Sequence, residues 1–152
     1  MLFRSLPAPT QAVVVGKSTV PVGTAAEVAR RLGQVGATLV WNPEFLREGH
    51  AVHDTLHPDR IVYGLPDDPR AAEHAQGVLD EVYAPVLAEG VERITANYAT
   101  AELVKVAANS FLATKISFIN AMAEMCEATG GDVTVLAEAI GRDNYQDRKS
   151  VV

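Results

Sequence analysis

The stretch QAVVVGKSTVPVGTAAEVARRLGQVGATLVWN, residues 11–42, decides the fold. Residues 11–16 form a short, mostly apolar run closed by Gly16, which is typical of a strand buried on both faces. Residues 25–36 have helical spacing, with Val28 and Leu32 four apart and two glycines at the end. Residues 37–42 form a second apolar run. A strand, a helix and a strand in succession predict a parallel unit covered by helices.

The same alternation continues along the chain. RIVYG, residues 60–64, predicts a third strand, and VERITAN, residues 91–97, predicts a fourth. Between them, residues 69–86 have a helical pattern with Pro69 suited to the first turn. The sequence therefore predicts an α/β fold with a mostly parallel, doubly wound sheet.

A long helix is predicted from Ala99 onward, because residues 99–129 contain neither proline nor glycine. Its pattern is apolar on most sides, so we expect it to be buried, either between two domains or against a partner chain. Asp132 then caps a further short helix. We place a domain boundary near residues 97–100.

Composition excludes several classes of protein. The chain has 13 Lys and Arg against 19 Asp and Glu, a net charge of −6, so we expect neither nucleic acid nor an anionic membrane as a partner. One cysteine excludes an internal disulfide and suits a reducing cytoplasm. No apolar run approaches the roughly 20 residues that span a bilayer. His50, His53 and His57 have helical spacing, but no acidic ligand is arranged with them, so no metal site is expected.

The two ends of the chain differ from the rest. We interpret residues 1–5 and 147–152 as non-native ends encoded by sequencing adapters, because LFRS and DRKSVV match strings that common adapters encode. The chain is then expected to be an internal fragment. The alternative is a natural disordered tail.

The segment KSTVPVGT, residues 17–24, is the first candidate for chemistry. It follows a strand directly, and in open α/β sheets the loops at the carboxyl ends of strands form the ligand crevice. Ser18 and Thr19 offer hydroxyl groups, and Gly23 and Thr24 lie at a helix start where free backbone N–H groups favour anions. The alternative is that these residues only form a turn and a cap.

The segment NPEFLREG, residues 42–49, is the second candidate. Glu44 and Glu48 are four apart, so a helical turn would put both carboxylates on one face beside Arg47. Two close carboxylates separate in proton affinity, which yields a base at neutral pH. The alternative is a capping turn on a solvated helix.

Lys105 and Asn109, one helical turn apart on the long helix, are the third candidate. An ammonium and a carboxamide aimed at one point would stabilise an oxyanion. The alternative is a lysine that reaches the surface along its apolar stem. Cys126 is predicted to be a packed core thiol, and Arg60 is either a phosphate contact or, as we prefer, a structural charge.

In their order and separation, KSTVPVGT, NPEFLREG, HPDRIVYG and AELVKVAANSFLATKISFINAMAEMCEATGGDV resemble the UDP-glucose 6-dehydrogenase family over roughly residues 8–143. The resemblance implies an NAD-linked, two-step oxidation of UDP-glucose to UDP-glucuronate. It implies that residues 6–96 are the C-terminal half of a Rossmann-like NAD-binding domain. Residues 97–143 would be the connecting helix and the start of a central helical domain, through which a homodimer forms.

The resemblance also implies roles for individual residues. Ser18, Thr19 and Val20 would line the cofactor and hydride-transfer region. Glu44 would be the acid/base that handles the hydrolytic water, and Glu48 would lie near the cofactor. Residues bordering the sugar would be Glu44, Phe45, Leu46, Arg47 and Glu48. Lys105 and Asn109 would bind substrate and stabilise the alkoxide and the tetrahedral oxyanion.

Departures from the family pattern limit this reading. The GxGxxG turn, the Gly-rich segment with the nucleophilic cysteine and the UDP-binding domain are all absent, so we expect this chain alone to be inactive. The alternative enzyme is a GDP-mannose 6-dehydrogenase, and UDP-N-acetyl sugar and hydroxyacid dehydrogenases fit less well. The alternative from another class is a non-catalytic segment that only assembles through its long helix.

Overall fold

A computed structural model of the chain describes residues 11–142. Four strands form one sheet in the order β1-β2-β3-β4. The strands are β1 Val13–Gly16, β2 Thr38–Trp41, β3 Arg60–Leu65 and β4 Glu92–Asn97. The helices are α1 Thr24–Gly33, α2 Ala51–Leu56, α3 Pro69–Val82, α4 Ala84–Ala88, α5 Tyr98–Thr129 and α6 Val133–Gly141. The predicted α/β class is confirmed.

The sheet is mixed. β1 pairs in parallel with β2, and β3 pairs in parallel with β4 over six positions from Arg60↔Glu92 to Leu65↔Asn97. The two halves meet through one antiparallel pair, Trp41↔Gly64. The sequence did not indicate this join. A parallel connection requires a crossover, usually a helix. The segment between β2 and β3 holds only the six-residue α2, and the chain reverses direction there.

Alternate residues of β2 and β3 face two different buried clusters. Leu39, Trp41 and Val62 belong to the first cluster, which also holds residues of α1 and the start of α5. Val40, Ile61 and Tyr63 belong to the second cluster, which also holds Ala75 and Leu79 of α3. Successive strand residues point to opposite faces. The continuous apolar runs of β2 and β3 therefore mark strands that are covered on both sides. The prediction that residues 11–16 form a strand buried on both faces is wrong, because no residue of β1 is buried and Val15 is 40% exposed.

Close packing at two glycines brings these layers together. A Cβ on Gly64 would lie 2.6 Å from the Cβ of Ala101 and 3.1 Å from that of Trp41. A Cβ on Gly16 would lie 2.2 Å from the Trp41 ring. Ala101 is fully buried, so the absence of a side chain at Gly64 lets the first turn of α5 rest on the sheet.

Two predicted helix starts are confirmed. Pro69 lies at the first position of α3, and the Asp68 carboxylate accepts a hydrogen bond from the Ala71 backbone N–H at 2.8 Å. At α6, the Asp132 carboxylate accepts from the backbone of Thr134 at 2.7 Å and of Val135 at 3.3 Å. Each carboxylate satisfies backbone donors that a helix start leaves without internal partners.

The chain divides into two compact units, Met1–Ala107 and Ala108–Val152, and the division falls inside α5. The boundary near residues 97–100 remains a prediction, as do the non-native ends, which lie outside the described residues. The second unit exposes apolar side chains along its part of α5, namely Phe111, Leu112, Ile116, Phe118 and Met125. The expectation that the long helix is buried between two domains or against a partner chain therefore stays a prediction, since this part of α5 is not covered by the described residues of the chain itself. Within residues 11–142, no helix is long and apolar enough to cross a membrane.

Candidate active site

The two candidate loops leave neighbouring parallel strands at their carboxyl ends. Residues 17–23 follow β1 and residues 42–50 follow β2. The Asn42 backbone N–H donates to the Gly16 carbonyl at 2.7 Å, which extends the pairing of β1 and β2 to the point where both loops begin. This edge of an open α/β sheet is where ligands bind.

A buried amide joins these loops. The Asn42 side chain is 2% exposed, and its Oδ1 accepts hydrogen bonds from the Lys17 ammonium at 2.9 Å and from the Tyr83 hydroxyl at 2.6 Å. Its Nδ2 donates to the Val62 carbonyl at 2.9 Å. Lys17 also donates to the Tyr83 hydroxyl at 3.1 Å. We call Lys17, Asn42 and Tyr83 the Asn42 cluster.

The loop after β2 is not helical, so the expected helical turn carrying Glu44 and Glu48 is wrong. A partner distant in sequence replaces it. The Arg47 guanidinium donates to the buried Asp54 carboxylate at 2.6 and 3.0 Å, and the Arg47 backbone N–H donates to it at 2.8 Å. These bonds hold the pKa of Asp54 well below its usual range. Arg47 therefore pairs with Asp54, and the two glutamates are exposed.

The Phe45 ring connects this loop to the long helix. The Lys105 ammonium lies 5.3 Å from the ring centroid, and the Arg60 guanidinium carbon lies 4.2 Å from it. Both distances fall within the range of cation–π attraction. Lys105 and the loop are about sixty residues apart in sequence and come together here.

Apolar packing adds the first loop to this group. Val20, Phe45 and Val104 are all partly buried against the first cluster, whose members include Trp41 and Ala101. Each of the three comes from a different candidate segment. One apolar cluster thus holds the loop after β1, the loop after β2 and the start of α5.

A cavity of about 220 Å³ opens beside the loop after β2. It is lined by residues 42–47, by residues 54, 55 and 57–61, and by Lys17 and Tyr83. Glu44, Phe45, Leu46 and Arg47 are therefore brought to one cavity. Ser18 and Thr19 are exposed on their loop, Glu48 is exposed before Gly49, and Asn109 is exposed in the second unit.

One residue that the sequence analysis missed changes the first candidate. The Glu102 carboxylate, 2% exposed, accepts the backbone N–H groups of Gly23 at 2.8 Å and Ala25 at 2.7 Å. Of the two donors expected to favour an anion, Gly23 therefore already binds a carboxylate of the protein, and the Thr24 backbone N–H donates to the Pro21 carbonyl at 3.2 Å. The expectation of free N–H groups at the start of α1 is wrong. The available signal was an acidic residue within the apolar run AELVKVAA.

Histidines lie close to acidic groups around α2. His57 Nδ1 lies 3.3 Å from a Glu89 carboxylate oxygen, and His53 Nδ1 lies 3.5 Å from Asp54. The rings of His53 and His57 are 5.2 Å apart. In the part of the chain that the structure describes, no group of three or more His, Cys, Asp or Glu side chains could hold a metal ion. Cys126 is buried, as predicted.

Two family models match this chain. Residues 6–87 match the NAD binding domain of the UDP-glucose/GDP-mannose dehydrogenase family, and residues 99–151 match its central domain. The first match covers more than half of the chain and lies within the first compact unit.

Curated relatives match most of the chain. It is 47% identical over 136 residues to the UDP-glucose 6-dehydrogenase of Rhizobium meliloti and 44% identical over 133 residues to that of Rickettsia typhi, covering 86% of this chain in each case. The chain spans about 30% of the length of these relatives.

Solved structures match the fold. A UDP-glucose dehydrogenase from Pyrobaculum islandicum matches with a TM-score of 0.75 and 41% identity, covering 86% of this chain and 30% of that one. A ternary complex of GDP-mannose dehydrogenase from Pseudomonas aeruginosa matches with a TM-score of 0.78 and 27% identity, covering 91% of this chain and 32% of that one.

Proposed function

Since this chain belongs to the UDP-glucose/GDP-mannose dehydrogenase family, we propose that it supplies catalytic groups for an NAD-dependent, two-step oxidation of UDP-glucose to UDP-glucuronate. The relatives that are 42–47% identical to it carry the name UDP-glucose 6-dehydrogenase. The observation that carries the proposal is the 5.3 Å approach of the Lys105 ammonium to the Phe45 ring. This approach brings the start of α5, whose lysine suits oxyanion stabilisation, next to the loop after β2, whose glutamates suit proton transfer.

Lys105 and Asn109 are proposed as the groups that stabilise the negative charge developing on the substrate oxygen. They lie one helical turn apart on α5, so their side chains leave the same face of the helix. An alcohol gives up hydride more readily as an alkoxide, and an ammonium with a carboxamide favours that charge in a site that excludes water. The same pair would stabilise the tetrahedral oxyanion of the final hydrolysis.

Glu44 is proposed as the acid/base that handles the hydrolytic water. Its exposed side chain lies at the cavity wall, on the loop that Arg47 and Asp54 fix. A general base must come within hydrogen-bond reach of the proton it takes, and this position offers such access. Residues Phe45, Leu46, Arg47 and Glu48 would border the sugar, with Glu48 also near the cofactor.

Ser18, Thr19 and Val20 are the groups proposed to hold the nicotinamide end of NAD, which when bound would accept the hydride. Exposed hydroxyls at the carboxyl end of β1 fit a polar ring and ribose. The amides of Gly23 and Ala25 do not fit a cofactor phosphate, because Glu102 occupies them. These three residues therefore orient the cofactor without binding its pyrophosphate.

GDP-mannose is the second candidate substrate. The GDP-mannose dehydrogenase structure has the slightly higher TM-score, 0.78 against 0.75, although its identity is lower. Backbone similarity alone does not select a nucleotide base, since base contacts depend on individual side chains. We favour UDP-glucose because the more identical relatives bear that name.

A homodimer formed through α5 and a cytoplasmic location complete the proposal. Phe111 is 62% exposed and Phe118 is 51% exposed, and exposed apolar surface of this kind marks contact sites. The alternative is a segment that assembles and does no chemistry. Two results together would favour that alternative. The chain would form a dimer equally well with and without NAD, and it would fail the activity test below.

The test is a chimera in which residues 11–142 replace the matching segment of the Rhizobium meliloti relative. NADH formation is measured with UDP-glucose and with GDP-mannose. We expect UDP-glucose-dependent NADH, and we expect Lys105→Ala to lower kcat about 10²- to 10³-fold, as removal of an oxyanion donor does elsewhere. The unmodified 152-residue chain, assayed alone, should form no NADH.

Lys115→Ala is the matched control, because Lys115 is a second, exposed lysine on α5. It should leave kcat within twofold or so, as surface substitutions usually do. A folded chimera that forms no NADH with UDP-glucose contradicts the proposal. So does an equal loss in the two lysine variants.

A further inference from the structure

We propose that the Asn42 cluster, Lys17 with Asn42 and Tyr83, is a positioning device that fixes the Thr19 loop relative to the Glu44 loop. This inference rests on the proposed function. None of the three residues was assigned a role from the sequence, and the cluster lies at the edge where both loops begin. It acts on the reaction only through the residues that it holds.

The hydrogen bonds of the cluster form a closed set. Asn42 Oδ1 uses its two acceptor positions on Lys17 and Tyr83, and its amide donates to Val62 of β3. Lys17 then bonds the Tyr83 hydroxyl, which closes a triangle of three side chains. Each member therefore restrains the other two. The ammonium makes two of these bonds charge-assisted, which are the stronger kind.

The position of the cluster along the chain matches the groups it would fix. Lys17 is two residues before Thr19, and Asn42 is two residues before Glu44. The Asn42–Gly16 backbone bond adds a second tie beside the first. A shift of Lys17 relative to Asn42 must therefore move Thr19 relative to Glu44.

Burial argues for positioning over direct contact with a substrate. Asn42 is 2% exposed and lines the cavity, but its Oδ1 already accepts from Lys17 and Tyr83, so both acceptor positions are filled by the protein. The Lys17 ammonium is directed at two protein acceptors, Asn42 and Tyr83. Tyr83 also ties the set to the end of α3, so three segments meet at one amide.

The expected loss of kcat follows from the geometry that the cluster holds. Hydrogen bonds from an ammonium group are among the stronger ones, and a misplacement of about 1 Å costs on the order of 10²-fold in rate. Loss of the ammonium should therefore lower kcat about tenfold to a hundredfold. KM should change less than threefold or so, because no member binds the sugar in this account.

The first experiment uses the 152-residue chain itself. Amide hydrogen exchange is compared between the unmodified chain, Lys17→Met and Lys17→Arg. We expect Lys17→Met to speed exchange at the hydrogen-bonded amides of both loops together, Gly23 and Thr24 after β1 and Asn42 and Arg47 after β2, while β4 is unchanged. Lys17→Arg should restore protection. Faster exchange in one loop alone, or throughout the chain, overturns the inference.

The second experiment measures kcat and KM in the chimera. Lys17→Met and Tyr83→Phe should each lower kcat, and the double variant should lose less than the product of the two losses. Tyr98→Phe is the matched control, because the Tyr98 hydroxyl also donates one hydrogen bond, to Leu39 O at 2.8 Å, outside the cluster. Unchanged kcat in Lys17→Met, or an equal loss in Tyr98→Phe, overturns the inference.

The two experiments separate this inference from the proposed function. Coupled exchange in a chain whose chimera forms no NADH would leave the cluster standing and refute the function. An active chimera with kcat indifferent to Lys17→Met would refute the cluster alone.

Discussion

The two compact units of this chain differ in how they treat their side chains. The first unit buries apolar residues in two clusters and gives its buried polar groups Asn42, Asp54 and Glu102 hydrogen-bond partners. Among its described residues, the second unit buries only Cys126 below one tenth of its surface and exposes Phe111 and Leu112. The first unit is closely packed. The second leaves apolar side chains of α5 exposed in this chain.

The largest effect on the free energy of unfolding is expected when a leucine is replaced by alanine in the first unit, and the same replacement in the second unit is the comparison. Leu39→Ala removes a side chain that is 1% exposed and should destabilise the chain by about 2–5 kcal/mol, because it loses burial and leaves a cavity. Leu112→Ala removes one that is 58% exposed and should change the free energy of unfolding by about 0.5 kcal/mol or less. Urea unfolding followed by Trp41 fluorescence and by helical circular dichroism measures both. Equal losses would contradict the division.

The features of the two units that could be predicted from the sequence are those that depend on residues close together in the chain. Apolar runs, glycine stops and caps such as Pro69 and Asp132 located the strands and helices, because each depends on neighbours a few residues away. The 32-residue α5 followed from the lack of proline and glycine. The composition of that helix did not say which side chains the chain itself would cover.

The unpredicted part depends on partners distant in sequence. Glu102 accepts from backbone groups 77 and 79 residues away, and Asn42 accepts from Tyr83, 41 residues away. The helical turn expected for Glu44 and Glu48 fails because Arg47 pairs with Asp54 beyond that turn. Periodicity carries no information about such pairs, whereas the short motifs did identify which loops to examine.

A smaller effect is expected from a substitution that tests the close packing of α5 on the sheet in the first unit. Gly64→Ala should destabilise by about 1–3 kcal/mol, because its Cβ would lie 2.6 Å from that of Ala101. Ala101→Gly in the same chain should recover part of the loss. Gly77→Ala is the control, since no atom lies within 4 Å of its added Cβ and α3 should gain about 0.5–1 kcal/mol. Thermal unfolding of the three variants and the unmodified chain checks this. A loss at Gly77 like that at Gly64 would contradict it.

The smallest effect concerns pH and the loop after β2. Hydrogen bonds from Arg47 lower the pKa of Asp54, so the charged carboxylate stabilises the folded chain. That stability is fully present above the unfolded pKa of about 4 and is lost as pH falls toward the lower folded pKa. Asp54→Asn should flatten the fall in stability below about pH 4. Urea midpoints across that range measure it, with Glu124→Gln as an exposed control, and an unchanged slope would refute the pairing.

The central claim is that Lys105 and the loop after β2 form one chemical site. A double-variant cycle on kcat in the chimera tests it most directly, with Phe45→Leu, Lys105→Met and both together. Because the Phe45 ring contacts the Lys105 ammonium, the double variant should be no slower than Lys105→Met alone. If the two losses multiply, the residues act independently and the site is not the one described.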